Sequence, residues 1–188
     1  MQSTTLVLAS GSPRRKELLA QLGYDFQVLV TDVEEQRLTG ESPEQYVKRL
    51  SFDKAKAGLL QSGSKNVVLG SDTIVVSGDN VLEKPNDLTD SKQMLMQLSD
   101  SCHQVLTAVT VISNQKHRSV VVSTNVWFKP LSDNEIEQYW QTGEPCDKAG
   151  SYGIQGLGGR FVTRIEGSYF AVVGLPLYET DQLLREFL

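Results

Sequence analysis

The sequence predicts an α/β fold in which helices flank a mixed central β-sheet. Helix-like and strand-like segments alternate along the chain, and some strands are spaced like antiparallel hairpins, which disfavours a purely parallel sheet. The 188 residues are 39% apolar and 22% charged, which is typical of a globular protein. A chain of this length fits one domain, residues 1–188, that buries its own core.

The N-terminal segment predicts a strand, a helix and a second strand. Leu6–Ala9 is a short apolar run of the kind found in buried strands. Ser12 can cap a helix that has Pro13 at its first position, and Gly23 is placed to end that helix. Phe26–Val30 is apolar again and predicts the second strand.

The next segment predicts a long helix and a hairpin. Ser42 followed three residues later by Gln45 is a capping box, and the helix that it begins ends near Gly63. The apolar, β-branched run Val67–Val76 predicts a strand, and Ser77–Asn80 predicts the turn after it.

The remaining elements follow from the same signals. Apolar β-rich runs predict strands, whereas capping residues and apolar stripes at helical spacing predict helices. The remaining predicted elements are a strand at Val81–Lys84, a helix at Thr89–Leu98, strands at Gln104–Ile112 and Ser119–Phe128, a helix from Ser132 to about Gln141, a glycine-rich loop at Gly150–Gly159, strands at Phe161–Ile165 and Phe170–Val173, and a helix at Tyr178–Phe187.

Charge and composition disfavour several classes of protein. The chain has 18 basic and 23 acidic side chains, a net charge of −5, which disfavours a nucleic-acid polymer as partner. Cys102 and Cys146 form no close pair and no zinc-ligand spacing. The first ten residues lack the basic segment of a signal peptide, and no apolar run approaches the about 18 residues of a membrane span. We therefore expect a cytoplasmic protein that does not act at a membrane.

Ser10, Arg14 and Arg15 mark a candidate anion site. They lie where the first strand leads into the first helix, whose free N–H groups and dipole favour an anion. Arginine adds bidentate hydrogen bonds to phosphate oxygens. The alternative is an ordinary capped helix with solvated arginines.

Asp72 is a carboxylate within an apolar strand, which is costly unless it is paired, hydrogen-bonded or bound to a metal. The predicted hairpin would bring Lys84 towards it. A two-residue turn sets Lys84 opposite Thr73, whereas a three-residue loop sets it opposite Asp72. The sequence leaves this register open, and also the alternative of an Asp in a bulge beside an exposed edge lysine.

Two further segments carry candidate ligand-binding side chains. Glu34 and Glu35 are adjacent carboxylates that could hold Mg²⁺ or Mn²⁺, although a solvated loop is the usual place for such a pair. Lys54 follows Leu50 by four residues, at the margin of the buried stripe of the long helix. Gln155 in the glycine-rich loop could hydrogen-bond a nucleotide base, and the alternative there is a flexible loop.

Together these residues are what phosphoryl transfer on a nucleotide requires: cations for the phosphates, carboxylates for a divalent metal, and one carboxylate to take a proton from water. The motifs that contain or flank them run over nearly the whole chain, in the order Leu8–Arg15, Gly70–Val75, Glu83–Pro85, Asp147–Gly156 and Val173–Pro176. In these motifs and in their order, the chain resembles the Maf family of nucleotide pyrophosphatases.

The resemblance implies a Maf or ITPase-like fold with two lobes and a cleft, and a homodimer. It implies cleavage of a nucleoside triphosphate into the monophosphate and pyrophosphate, with Mg²⁺ or Mn²⁺ as cofactor. Asp72 matches the catalytic base of the family and, with Glu35, would hold the metal. The other matching active-site positions are Ser10, Arg14, Arg15, Lys54 and Lys84.

Three residues resemble the branch of the family that acts on dTTP, UTP and modified pyrimidine nucleotides, rather than the branch that prefers 7-methyl-GTP. They are Arg14, Thr73 and Gln155. An amide both donates and accepts hydrogen bonds, which suits the edge of thymine or uracil. Two alternatives remain: a non-catalytic nucleotide-binding regulator of growth or division, and a pyrophosphatase of the same fold that clears non-canonical purines.

Overall fold

The computed structural model describes residues 5–188, which form seven strands and six α-helices. In chain order they are β1 (Leu6–Ala9), α1 (Pro13–Gln21), β2 (Phe26–Val28), α2 (Pro43–Ser62), β3 (Val67–Ser77), β4 (Asn80–Leu82), α3 (Leu88–Leu98), β5 (Cys102–Ile112), β6 (His117–Phe128), α4 (Asp133–Gln141), β7 (Val162–Glu166), α5 (Tyr169–Val173) and α6 (Leu177–Arg185). Short 3₁₀ helices lie between α4 and β7, at Glu144–Asp147, Ala149–Ser151 and Leu157–Phe161.

The strands form one mixed sheet flanked by helices, as the sequence predicts. The strand order is β2-β1-β3-β5-β6-β7, and β4 pairs with β3. β1 runs parallel to both β2 and β3, whereas β4 is antiparallel to β3 and β7 is antiparallel to β6. Within residues 5–188, the helices are all too short or too polar to cross a membrane.

The chain packs into two compact units. Unit 1 runs to Asp72 and adds Thr107–Val122 and Gly174–Leu188. Unit 2 comprises Thr73–Leu106 and Ser123–Val173.

The core of unit 1 lies where α2 packs closely against β1 and β3. Its buried members include Val7, Ala9, Ala55, Val68 and Ile112. A glycine permits the close approach, since a Cβ on Gly70 would lie 2.3 Å from the carbonyl oxygen of Ser51. Because side chains alternate across a strand, Gly70 and Asp72 share one face of β3. The face that meets α2 at Gly70 therefore also presents Asp72 to that helix.

The core of unit 2 is larger and contains several aromatic rings. His103, Phe128 and Tyr152 contact one another edge to face, and Phe161 joins Phe128 in the same way. Aliphatic side chains from α3 and from the strands of this unit complete the core; they include Val75, Leu82, Met94, Leu95, Leu98, Val105 and Val126.

One predicted element is wrong: Phe170–Val173 belongs to helix α5 and not to a strand. The side chain of Ser168 accepts a hydrogen bond from the Ala171 N–H at 3.1 Å, so a serine cap starts a helical turn here. A four-residue apolar run fits a buried strand and a buried helix equally well, and the cap decides between them.

The hairpin after β3 settles the register that the sequence left open. Ser77 pairs with Asn80, so the turn has two residues, and this register sets Thr73 opposite Lys84. The ladder itself stops at the Val75–Leu82 pair, before Lys84 is reached. Strand pairing therefore does not bring Lys84 beside Asp72.

Candidate active site

Three of the predicted site residues in unit 1 are linked through Lys54, which contacts the other two. Asp72 lies on β3, Lys54 on α2, and Glu35 on the irregular segment between β2 and α2. The Lys54 Nζ atom lies 2.6 Å from Asp72 Oδ1 and 2.7 Å from Glu35 Oε1. A single ammonium group thus joins two carboxylates, which is how the structure accommodates an acidic side chain within an apolar strand.

The electrostatics of Asp72 are dominated by its burial. Its side chain is 8% exposed, against 11% for Lys54 and 46% for Glu35. Burial raises the pKa of Asp72; the positive charges of Lys54 and Arg15 oppose this rise, and the negative charge of Glu35 adds to it. The pKa is raised on balance, so this carboxylate takes up a proton more readily than an exposed aspartate.

The start of α1 holds the predicted anion-binding residues. The Ser12 side chain caps the helix by accepting the Arg15 N–H, and the buried Ser10 Oγ accepts the Ser12 N–H at 3.1 Å. The Arg15 Nε atom donates to the Gly174 carbonyl oxygen at 2.9 Å. Burial lowers the pKa of Arg15, and the charge of Asp72 acts in the opposite direction. Arg15 is therefore part of the electrostatic environment of the buried carboxylate.

Of the other predicted site residues, one lies on α1 and three lie in unit 2. Arg14 is half-buried in the first turn of α1. In unit 2, Thr73 follows Asp72 on β3, Lys84 is exposed beyond the end of β4, and Gln155 is exposed in the glycine-rich loop. Their roles stay predictions, as does the role of Ser10.

Main-chain contacts hold the site, and sequence patterns do not predict them directly. The Tyr46 hydroxyl donates to the Glu35 carbonyl oxygen at 3.0 Å. The Gly174 carbonyl oxygen accepts from Ser71 Oγ at 3.1 Å as well as from Arg15. Any residue can supply a carbonyl group, so such contacts leave no pattern of residue types. The one available signal was the position of Tyr46 on the same stripe of α2 as Lys54.

The carboxylate of Glu144 organises the glycine-rich loop of unit 2. It accepts hydrogen bonds from the Leu157 N–H at 2.8 Å, the Gly158 N–H at 3.0 Å and the Tyr139 hydroxyl at 2.6 Å. Burial raises the pKa of Glu144, but these three donors outweigh it and the pKa is lowered on balance. A Cβ on Gly156 would lie 2.3 Å from Glu144 Oε2, so the loop closes tightly around the carboxylate.

The carboxylates of Glu35 and Asp72 are suitable donors for a small divalent cation. Both reach the same ammonium nitrogen, so they already share one cationic group. Mg²⁺ is usually held by one or two carboxylates together with water and substrate phosphate oxygens. Among residues 5–188, no group of three or more His, Cys, Asp or Glu side chains gathers as a metal cage. The donor set thus fits a cation that the substrate helps to hold.

Comparisons with known proteins point to the family that the sequence motifs resemble. Residues 5–187 match the family model described as Maf-like protein. The chain is 67% identical over 187 residues to the dTTP/UTP pyrophosphatase of Vibrio parahaemolyticus, covering 100% of this chain and 99% of that protein. It is also 67% identical to the dTTP/UTP pyrophosphatase of Vibrio cholerae, with 100% of both chains covered. A crystal structure of a nucleoside-triphosphatase / dITP/XTP pyrophosphatase from Mycobacterium abscessus aligns with a TM-score of 0.44 at 16% identity, over 66% of this chain and 74% of that one, which is too remote a likeness to support an inference.

Proposed function

This chain belongs to the Maf family, and we propose on that basis that it hydrolyses dTTP and UTP, and modified pyrimidine nucleotides, to the monophosphate and pyrophosphate. In the proposed reaction the oxygen of a water molecule forms a bond to the α-phosphorus. The bond from that phosphorus to the oxygen bridging to the β-phosphate breaks, and pyrophosphate leaves.

The observation that carries this proposal is the buried Asp72 paired with Lys54. Asp72 takes the proton from the attacking water. Its raised pKa supports this role, since a general base is most effective when its pKa approaches the working pH. Lys54 keeps the carboxylate oriented and adds positive charge where the phosphate gains negative charge.

The remaining predicted residues bind the substrate and the metal. Glu35 and Asp72 would hold Mg²⁺ or Mn²⁺, and such a cation, when bound, neutralises the phosphate oxygens that gain charge. Thr73 and Gln155 contact the nucleoside, and the amide of Gln155 pairs with the edge of the pyrimidine. The groups that bind the triphosphate are Ser10, Arg14, Arg15, Lys54 and Lys84.

A nucleotide panel tests this function. The protein with Mg²⁺ or Mn²⁺ is incubated with dTTP, UTP, ITP and 7-methyl-GTP, and the monophosphates are separated by chromatography. We expect dTTP and UTP to be converted fastest. A preference for ITP or 7-methyl-GTP would refute the substrate assignment, and binding without any turnover would favour the nucleotide-binding regulator.

Replacing the proposed base tests the mechanism. Asp72→Asn keeps the shape of the side chain but cannot accept the proton, so the rate of pyrophosphate release should fall by about 10²–10⁴. Asp25→Asn, at an exposed position, is the matched control and should keep the wild-type rate. A folded Asp72→Asn protein with full activity would rule out Asp72 as the base.

Three further features complete the proposal. Residues 1–188 act as a single Maf domain, because the family model spans both compact units. The protein works in the cytoplasm, and it forms a homodimer, as the resemblance to the family implies.

A further inference from the structure

Glu35 sits on a segment without helix or strand. The chain between β2 and α2 is irregular, and the Glu35 side chain is 46% exposed. Fixing one residue of such a segment costs backbone conformational entropy. A carboxylate that serves at a defined place therefore needs contacts that hold its main chain as well as its oxygens.

Helix α2 supplies both kinds of contact. Tyr46, 1% exposed, donates its hydroxyl to the Glu35 carbonyl oxygen at 3.0 Å. Lys54 contacts the carboxylate of the same residue at 2.7 Å. Tyr46 and Lys54 are eight residues apart, about two helical turns, so they project from one face of α2. Glu35 is thus held at its main chain and at its side chain by one rigid element.

Arg49, three residues after Tyr46, holds the rest of the segment. It forms two hydrogen bonds with the Glu41 carboxylate, at 2.7 and 2.9 Å, and a third with the Gln36 carbonyl oxygen at 2.9 Å. Arg49 and Tyr46 therefore bind two successive carbonyl groups, those of Gln36 and Glu35. The two side chains act on the backbone of the segment, whatever charge the Glu35 carboxylate bears.

We propose that Tyr46, together with Arg49, is a positioning residue that holds Glu35 where a divalent cation binds, an inference that rests on the proposed function. In this role Tyr46 acts through the Glu35 main chain and supplies no ligand atom of its own. Removing its hydroxyl frees the Glu35 main chain, so that binding of the cation has to order the segment again. The expected consequence is weaker metal binding with little change in the rate once metal is saturating.

The test compares Tyr46→Phe with wild type in two measurements. Mn²⁺ affinity is measured on the protein by electron paramagnetic resonance, and pyrophosphate release from dTTP is measured as a function of Mn²⁺ concentration. We expect the Mn²⁺ dissociation constant to rise about tenfold, the lower end of the effect of losing an outer contact to a metal ligand. The kcat at saturating Mn²⁺ should stay within about threefold of wild type.

A double-mutant cycle and a matched control separate positioning from a general loss of stability. In a Glu35→Gln background, Tyr46→Phe should have no further effect on Mn²⁺ affinity, because the ligand that it positions is gone. Tyr24→Phe, which removes a hydroxyl bonded to Asp181 in the same unit, should leave Mn²⁺ affinity unchanged.

Three outcomes would overturn the inference: a wild-type Mn²⁺ affinity in Tyr46→Phe, a tenfold loss that persists in the Glu35→Gln background, or a Glu35→Gln protein that binds Mn²⁺ as wild type does. If Tyr46→Phe does not fold, Arg49→Lys serves in its place. Arg49→Lys should weaken Mn²⁺ binding because it disturbs the hydrogen bond to the Gln36 carbonyl oxygen. A wild-type Mn²⁺ affinity in Arg49→Lys would then refute the proposed positioning of Glu35. A wild-type protein that releases no pyrophosphate would instead refute the proposed function.

Discussion

Replacing Glu144 by alanine should destabilise the glycine-rich loop by an amount that the structure allows us to estimate. The substitution removes three charge-assisted hydrogen bonds, from the Tyr139 hydroxyl and from the N–H groups of Leu157 and Gly158. A buried bond to a charged group contributes about 1.5–3 kcal/mol. Since Glu144 is only half-buried, water can replace part of these hydrogen bonds in the variant. We therefore expect the free energy of unfolding to fall by about 3 kcal/mol in total.

Comparing Glu144→Ala with Gly156→Ala tests whether the loss of stability comes from the Glu144 carboxylate. The new methyl group would lie 2.3 Å from Glu144 Oε2 and should cost about 2 kcal/mol by displacing it. The φ of Gly156 is −107°, so alanine meets no left-handed strain there. In the Glu144→Ala background the clash disappears, and Gly156→Ala should then cost less than about 1 kcal/mol.

Urea unfolding, followed by the fluorescence of the two tryptophans, Trp127 and Trp140, measures these free energies. For a chain of this length, 3 kcal/mol also corresponds to a fall in Tm of about 6–12 °C. Glu144→Gln keeps one acceptor oxygen and should lose less than half as much as Glu144→Ala. Additive effects of Glu144→Ala and Gly156→Ala, or a Glu144→Ala protein as stable as wild type, would refute the reasoning.

Two further predictions concern stability. Burial lowers the pKa of His103 to about 4 in the folded protein, so between pH 6.5 and pH 4 the unfolded chain takes up a proton that the folded chain does not. The free energy of unfolding should therefore fall by about 3 kcal/mol as the pH is lowered over this range. In His103→Phe, the free energy of unfolding measured in urea should depend less on pH between pH 6.5 and pH 4. If its pH dependence is the same as in wild type, groups other than His103 cause the fall. Gly70→Ala places a methyl group 2.3 Å from the Ser51 carbonyl oxygen and should cost about 3 kcal/mol in a thermal or urea melt. Gly11→Ala, where the nearest atom is 3.5 Å away, is the control, and equal losses in the two variants would contradict the close approach of α2 to β3.

The sequence predicted most helices and strands because the signals that determine them are local. Ser42 and Ser132 both form complete capping boxes, and Gly63 ends α2 with a φ of +101°. Phe170–Val173 was assigned wrongly because its apolar run is too short to show a period. The helix there depends on Ser168, a single capping residue that the apolar pattern does not include.

The contacts within the site depend on tertiary packing, which the sequence does not display. Lys54 and Asp72 are 18 residues apart and meet because Gly70 lets α2 approach β3. Residue types alone predicted both as candidates but did not show that Lys54 also binds Glu35. Glu144 could not be found in this way, because its partners are mainly main-chain N–H groups, which nearly every residue possesses.

The carbonyl oxygen of Gly174 also limits how early unit 1 can be completed during protein synthesis. It accepts from Arg15, 159 residues earlier in the chain, and Asp181 similarly accepts from Tyr24 over a separation of 157 residues. Ribosomes add about 5–20 residues per second, so roughly ten to thirty seconds pass between the appearance of Arg15 and that of Gly174. A nascent chain therefore carries Arg15 and Asp72 long before Gly174–Leu188, the last part of unit 1, has been made.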